Sequence, residues 1–283
     1  MGLGGYLTWT AVAREIVKAS RIPKVFPFEQ HGNLIKAIKT PIFENNPYIL
    51  QEFDSSVLSV PMQLNNPETN YCKKDTREKA VHRYDRHIIQ QICEFYGIKN
   101  PELKCELYFS DAEEQFARNI IFNNNLSKEK FIVIEPQSND EYTVNKKYPL
   151  DKWQYIANTL VKKGYQLVQL GKNNKDQVLD GVVNLTGKTT FRQAAAIIKL
   201  ANLFVSSEGG LMHAANAVST SSVIVISGFI HPDMTCYSNN TNIWLGKTHG
   251  PCGMKVHCSA CFNESETHDP EEIIESVVRK FNE

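Results

Sequence analysis

The run Phe204-Val205-Ser206-Ser207-Glu208-Gly209-Gly210-Leu211-Met212-His213-Ala214-Ala215 reads as the end of a short apolar strand, Asn202 to Val205. The strand stops at two serines and a carboxylate, then turns through paired glycines into a helix of small residues. Such a turn places unpaired backbone N–H groups and the positive end of a helix dipole at the carboxyl edge of a sheet, where open α/β folds bind anions. A phosphate-bearing ligand is expected there. The competing reading is a tight strand-to-helix turn whose glycines only permit close packing.

Outward from this turn the pattern is a regular alternation. Before it come strand Phe131 to Ile134, helix Leu150 to Lys163 with Trp153, Ile156, Leu160 and Val161 inward and Gly164 as its stop, strands Gln166 to Leu170 and Val182 to Leu185, and helix Thr190 to Leu200. After it come strand Ser222 to Ile226 and a last amphipathic helix, Asp269 to Phe281. Strands alternating with helices predict a parallel, doubly wound sheet, an α/β fold. Its carboxyl rim would carry Glu135 to Lys147, Gly171-Lys172 and Ser206 to His213. A helix dipole with Lys146, Lys147 and Lys172 suits a pyrophosphate and would stabilise charge on a departing nucleoside diphosphate. Glu208 can accept hydrogen bonds from sugar hydroxyls. A Gly-x4-Gly-Lys-[Ser/Thr] loop and an Asp-x-Asp pair are both missing, which argues against a P-loop NTPase and a metal-bridged diphosphate.

The first half is less regular. A glycine-rich turn over the first six residues leads into a helix with Trp9, Val12, Ala13, Ile16 and Val17 on one stripe. Strands are expected at Val25 to Phe28, Val57 to Met62 and Glu106 to Phe109, and a short helix near Asn33 to Ile38. A long helix is expected over Asp75 to Tyr96, the charged stretch Lys73 to Arg86 being its solvated part. Ser110-Asp111-Ala112-Glu113 is a capping box that opens a helix to about Phe122. The polar run Asn123 to Lys130 reads as a linker, which divides the chain into residues 1–125 and 126–283.

The chain has 283 residues, room for two domains of about 130 to 150 residues. Its 31 basic and 31 acidic side chains cancel, so a general nucleic-acid binder is not expected. No uncharged apolar run approaches the roughly 18 residues of a membrane span, and no secretory leader is evident, so a cytoplasmic location is expected. Seven cysteines in such a context point to reduced thiols. Cys252, Cys258 and Cys261, with Cys236, His249 and His257 nearby, are weighed as a structural zinc site. Ordinary thiols are the preferred reading, and no metal or cofactor is expected.

Gly2-Leu3-Gly4-Gly5 opening a helix, Glu135-Pro136, Lys146-Lys147-Tyr148-Pro149-Leu150-Asp151-Lys152-Trp153, Asn184 to Thr190 and Glu208 to His213, in that order, resemble the heptosyltransferase family that uses ADP-heptose. The match is ordered over residues 131 to 228 and thin before them, apart from the opening glycines and Asn45-Asn46-Pro47-Tyr48. The resemblance implies the GT-B architecture, two Rossmann-like domains facing across a cleft, the first binding the acceptor and the second the nucleotide sugar. It also implies metal-independent, inverting transfer to a glycan or glycolipid acceptor such as a lipopolysaccharide core or capsule precursor, with loose contact at the inner membrane face. Lys146 would meet the diphosphate, and Glu208 with the Gly209 and Gly210 backbone would meet sugar and phosphate. Lys147, Lys172 and His213 complete the donor side, and Gly2, Gly4 and Gly5 would form an acceptor-side loop.

The sequence departs from the family pattern at three places. An aspartate proposed as the base that activates the acceptor stands where this chain has Gly5. Aspartate is usual where Glu208 stands, and a strand usually precedes the opening glycines. Glu29 and His31, at the end of the next strand, are the substitute base candidates. With Gly5 in the base position, a non-catalytic nucleotide-sugar or glycan binder is the main rival; an epimerase and a zinc-stabilised interaction module stand behind it.

Overall fold

The structure is a computed structural model that describes residues 2–69, 72–74, 80–82, 86–127, 129–136, 142–172 and 175–283. Helix α1 (Leu3–Ser20) is followed by strands β1 (Lys24–His31), β2 (Leu34–Ala37) and β3 (Ser59–Gln63), the short strands β4 (Cys72–Lys74) and β5 (Ala80–His82), and helices α2 (Ile88–Phe95) and α3 (Asp111–Asn123). The second half runs β6 (Phe131–Glu135), α4 (Leu150–Lys162), β7 (Gln166–Gln169), β8 (Val183–Asn184), α5 (Phe191–Leu200), β9 (Leu203–Ser207), α6 (Gly210–Ala217), β10 (Ser222–Ile226), β11 (Asn240–Trp244), α7 (Ser259–Thr267) and α8 (Glu271–Phe281).

Six parallel strands in the order β11-β10-β9-β6-β7-β8 form the main sheet. Its strands are apolar on both faces because helices cover both. Phe131 and Val133 of β6 join Phe204, Ile224 and Ile226 in a core shared with α1, α2, α5 and α6. Ile132 and Ile134 join Val205, Val223 and Val225 in a second core under α4 and α8. This is the doubly wound arrangement expected from the alternation. The sheet grows one way from β6 through β7 and the other way through β9, so its topological switch point lies between β6 and β9.

The smaller sheet has the order β2-β1-β3, with β1 antiparallel to β2 and parallel to β3. Here the structure corrects several expectations. Residues 34–37 are a strand and not a helix: Gly32, at φ 60°, and Asn33 close a two-residue hairpin in which His31 pairs with Leu34. The expected long helix over 75–96 is confined to α2, and β4 and β5 pair in its place; residues 75–79 and 83–85 lie outside the described residues. The helix expected after a glycine turn begins at Leu3, with Gly2 as its N-cap and Gly4 and Gly5 in its first turn. It is also buried on all sides from Leu7 to Ile16, not along one stripe, because α2, β1 and the 41–43 turn pack on it as well as α6. On α4, Val161 is 38% exposed where it was expected inward. β11 and α7 were not anticipated.

Residues 106–109 were expected as a strand and have no ladder partner. Their segment is extended but bonded to side chains: the Arg14 guanidinium donates to the carbonyls of Glu102 and Lys104, Glu106 N donates to Thr10 Oγ1, and Cys105 N donates to Asn216 Oδ1. The alternating residues that suggest a strand therefore pack against helices. The capping box at Ser110 and Glu113 is present in full, and so is one at Thr190 and Gln193 that opens α5.

Candidate functional site

β9 delivers Ser207 and Glu208 to the switch point, and Gly209 carries the chain in an extended conformation (φ −177°) into α6. Gly210, the first helical residue, is closely packed. A Cβ there would stand 3.3 Å from the Phe191 ring, and one on Gly4 would stand 3.0 Å from Gly210 Cα and from His213 Cδ2. Thus the first turn of α1 lies directly on the first turn of α6. Gly4 and Gly5 form a helix start against the Glu208–Gly210 turn instead of a free loop.

Lys146 ends a one-turn helix, Val144–Lys146, whose N-cap Thr143 accepts from Asn145 N. Its Nζ is 2.5 Å from Glu208 Oε2 and 5.3 Å from the centroids of both the Tyr142 and Phe229 rings. Both side chains are nearly covered, at 15% and 10% exposure, so the pair is weakly screened. A cation held between two ring faces at a helix start is a receptor for an anion that can compete for it. At the end of β6, in register with Ser206, Glu135 loses solvation; this lifts its carboxyl to about 8 and leaves it an acid at neutral pH.

Lys146, Glu208 and the Tyr142 and Phe229 rings, with Gly5, Thr8, Ile88, His213, Ile230, Met234 and Thr235, enclose a cavity of about 50 Å³. Gly5 is therefore part of the same wall as Lys146 and Glu208. His213 is buried, with Nδ1 2.6 Å from the Tyr237 hydroxyl, which in turn is 3.2 Å from Cys105 Sγ. Burial chiefly lowers His213 to about 4, Glu208 opposing the shift and Lys146 adding to it, and His87 is lowered to about 4 by burial and by His213. Both rings are neutral at pH 7.

Both histidines bind protons more readily unfolded than folded. Stability from them is present above about pH 6.5 and is lost as pH falls toward about 4. His213→Gln is therefore expected to lose less of its thermal midpoint than the parent protein between pH 6.5 and 4.5, as read by calorimetry. Equal losses would refute the neutral assignment.

The remaining sequence candidates lie apart from this wall. Lys147 is exposed and lines a second cavity of about 410 Å³ with Tyr148, Trp153, His257 and Phe262. Lys172 is exposed beyond β7. Glu29 and His31 sit 3.8 Å apart at the end of β1, and Glu29 helps burial to raise the Tyr6 hydroxyl; neither lines the small cavity. The sequence put Glu135 and Asn145 on the rim without giving either a role, and it gave no sign of His87 and Tyr237 as contributors.

An open parallel sheet with an anion-ready helix start at its switch point, faced by a smaller α/β part whose first helix packs on that start, is a glycosyltransferase fold of the GT-B class. Residues 56–265 match the sequence profile of glycosyltransferase family 9 (heptosyltransferase), and the chain belongs to that family. No curated protein matches it in sequence. Among solved structures, a family 9 glycosyl transferase from Veillonella parvula superposes at TM-score 0.73 with 14% identity, over 99% of this chain and 95% of that one. The ADP-heptose lipopolysaccharide heptosyltransferase II of E. coli gives TM-score 0.53 and 20% identity over 71% and 64%. The dodecameric, iron-containing heptosyltransferase TibC of enterotoxigenic E. coli, solved with ADP-D-beta-D-heptose, gives 0.67 and 12% over 100% and 74%.

Proposed function

We propose that this glycosyltransferase moves a heptose-like sugar from ADP, or a related nucleoside diphosphate, onto a glycan or glycolipid acceptor such as a lipopolysaccharide core or capsule precursor. The observation that carries the reading is the Lys146 to Glu208 pair, 2.5 Å apart at the α6 N-terminus. The ADP-heptose bound to TibC, a protein of like fold, supports the choice of donor. In this reading an acceptor hydroxyl attacks the anomeric carbon and inverts it. The leaving diphosphate takes over the Lys146 cation and the helix N–H groups, with no metal at the reacting centre. Glu208, released from Lys146, accepts from sugar hydroxyls, and residues 126–283 form the donor half while 1–125 meet the acceptor.

Glu29 and His31 are the base candidates carried from the sequence; unchanged turnover in Glu29→Gln and His31→Ala removes both. None of the helices among the described residues is long and apolar enough to cross a membrane. Contact with a lipid-linked acceptor at the inner membrane face would then be peripheral. The second reading, a nucleotide-sugar binder without turnover, is favoured by Gly5 in the base position. Calorimetric titration with ADP, GDP, UDP and CDP, repeated for Glu208→Ala, tests the donor site. One nucleotide is expected to bind selectively and more weakly to the variant. Binding without any transfer to acceptor favours the binder, and no binding by a folded chain ends the donor reading.

A further inference from the structure

The transfer step needs a base, and Glu29 and His31 do not line the cavity in which Lys146 meets Glu208. Of the residues that do, Tyr142, Lys146, Glu208 and His213 can titrate. Lys146 and Glu208 are engaged with each other. His213 is held differently. Its Nδ1 stands 2.6 Å from the Tyr237 hydroxyl, which stands 3.2 Å from Cys105 Sγ, and all three side chains are buried. The other edge of the ring is turned to the first turn of α1: a Cβ on Gly4 would stand 3.0 Å from Cδ2, the atom bonded to Nε2. That end of α1 brings Gly5 and Thr8 to the cavity, and Gly5 puts no side chain there. One ring nitrogen is thus anchored on a buried phenol, and the other lies on the edge that faces the wall between α1 and α6. A base whose far nitrogen is oriented by a third group is the arrangement that proton abstraction from a hydroxyl uses.

We propose that His213 is the base of the transfer step, taking the proton of the acceptor hydroxyl on Nε2 while Tyr237 orients the ring through Nδ1. This role rests on the transfer reading above. In the working tautomer Nδ1 carries the ring hydrogen and donates it to the Tyr237 oxygen, and the Tyr237 hydroxyl donates to Cys105 Sγ, which leaves the Nε2 lone pair free. As the acceptor oxygen bonds the anomeric carbon, its proton passes to Nε2. The bond from that carbon to the diphosphate oxygen breaks, and its electron pair stays on the diphosphate. The imidazolium then has the Glu208 carboxylate and the Tyr237 oxygen to stabilise it, and it returns the proton to water as products leave. The charges around the ring set its basicity. Burial lowers it most, Glu208 opposes this and Lys146 adds to it. Tyr237 and Cys105 are kept protonated by burial, and His87, whose ring lies 5.2 Å from that of Tyr237, is neutral. A diphosphate that takes over the Lys146 cation offsets the one unfavourable charge, so donor binding makes Nε2 a better base.

The test compares His213→Ala with the full parent chain in two measurements, sugar transfer from ADP-heptose to a lipopolysaccharide-core acceptor and calorimetric titration with ADP. Transfer is expected to fall at least 10²-fold, within the roughly 10² to 10⁴-fold span of general-base catalysis, with ADP affinity within threefold of the parent protein. Equal losses of transfer and affinity would make His213 a donor contact and overturn the base, as would transfer within threefold of the parent. Tyr237→Phe keeps the ring packing and removes the Nδ1 partner; transfer should drop about tenfold, the worth of one hydrogen bond, with ADP affinity unchanged. Unchanged transfer there overturns Tyr237 as the orienting group. Because His213→Ala can fail to fold, nitrogen NMR of the parent protein with labelled histidine reads the tautomer directly. His213 is expected with hydrogen on Nδ1 and a bare Nε2 at pH 7, and hydrogen on Nε2 overturns the base. A folded parent chain that binds no nucleotide removes the transfer reading and the base with it, whereas a parent that binds and transfers beside an equally active variant removes the base alone.

Discussion

Lys146→Ala is expected to lower sugar transfer by about 10² to 10³-fold, the usual cost of removing one preorganised group that meets charge developing on a leaving oxygen. The ammonium is already in place: two ring faces and Glu208 hold it, so little reorganisation is needed when a diphosphate arrives. The loss should fall on kcat more than on KM, because the leaving diphosphate carries more charge on its bridging oxygen in the transition state than in the bound donor. Without Lys146 the covered Glu208 carboxylate loses its counter-charge, and part of the loss comes from that. Lys146→Ala with Glu208→Gln separates the two contributions: if the double variant matches the single one, the lysine acts on the ligand directly. Lys146→Arg keeps the charge, but the slot between Tyr142 and Phe229 is filled by a slim ammonium stem, so rescue should be partial. Nucleotide release with ADP-heptose and a lipopolysaccharide-core acceptor measures the rate. Transfer within threefold of the parent protein would remove Lys146 from the chemistry.

The second half was legible because its rules are local and repeated. Apolar runs of four or five residues bounded by Gly164 or by the Thr190 capping box leave few ways to fold, and β6, α4, β7, α5, β9, α6 and β10 fall where the pattern places them. The first half was not, since its backbone is satisfied by distant side chains. The segment 101–110 is held by Arg14, Thr10 and Asn216, partners on two other helices that no periodicity announces. The short helix expected near Asn33 to Ile38 is a hairpin strand instead, because Gly32 and Asn33 turn the chain back on β1. For the site, Lys146 and Glu208 were named from the rim and are brought into contact. Glu29 and His31 were named by position along a strand, which says nothing of the distance across the cleft. The thiol cluster shows the same limit: Cys-x5-Cys-x2-Cys spacing is weak in sequence, and only a helix start at Cys258 folds it into a triangle.

The largest loss of stability is expected from Arg192→Met. Arg192, in the first turn of α5, is 3% exposed and makes a two-pronged pair with Glu113, Nε to Oε1 at 2.6 Å and Nη2 to Oε2 at 2.8 Å. It also donates to the carbonyls of Pro41 at 2.9 Å and Tyr108 at 2.6 Å. One side chain of the second half thus holds three separate segments of the first half. Glu113 is at the same time the far end of the capping box that opens α3, accepting from Ser110 N at 2.8 Å. Removing the guanidinium takes the counter-charge from a mostly covered carboxylate and a donor from two carbonyls, a change that costs about 3 to 5 kcal/mol when one partner of a buried pair is deleted. Arg192 holds the Glu113 carboxyl below its ordinary value, more strongly than burial opposes this. A carboxylate depressed in the folded state contributes stability above its unfolded pKa, near 4.5, and loses it as pH falls through the lower folded value. The loss on Arg192→Met should therefore be full at pH 7 and shrink below about pH 4.5. Denaturant melts at pH 7 and pH 4 measure both. If the pair were only decorative, Arg192→Met would unfold within 1 kcal/mol of the parent protein at both values.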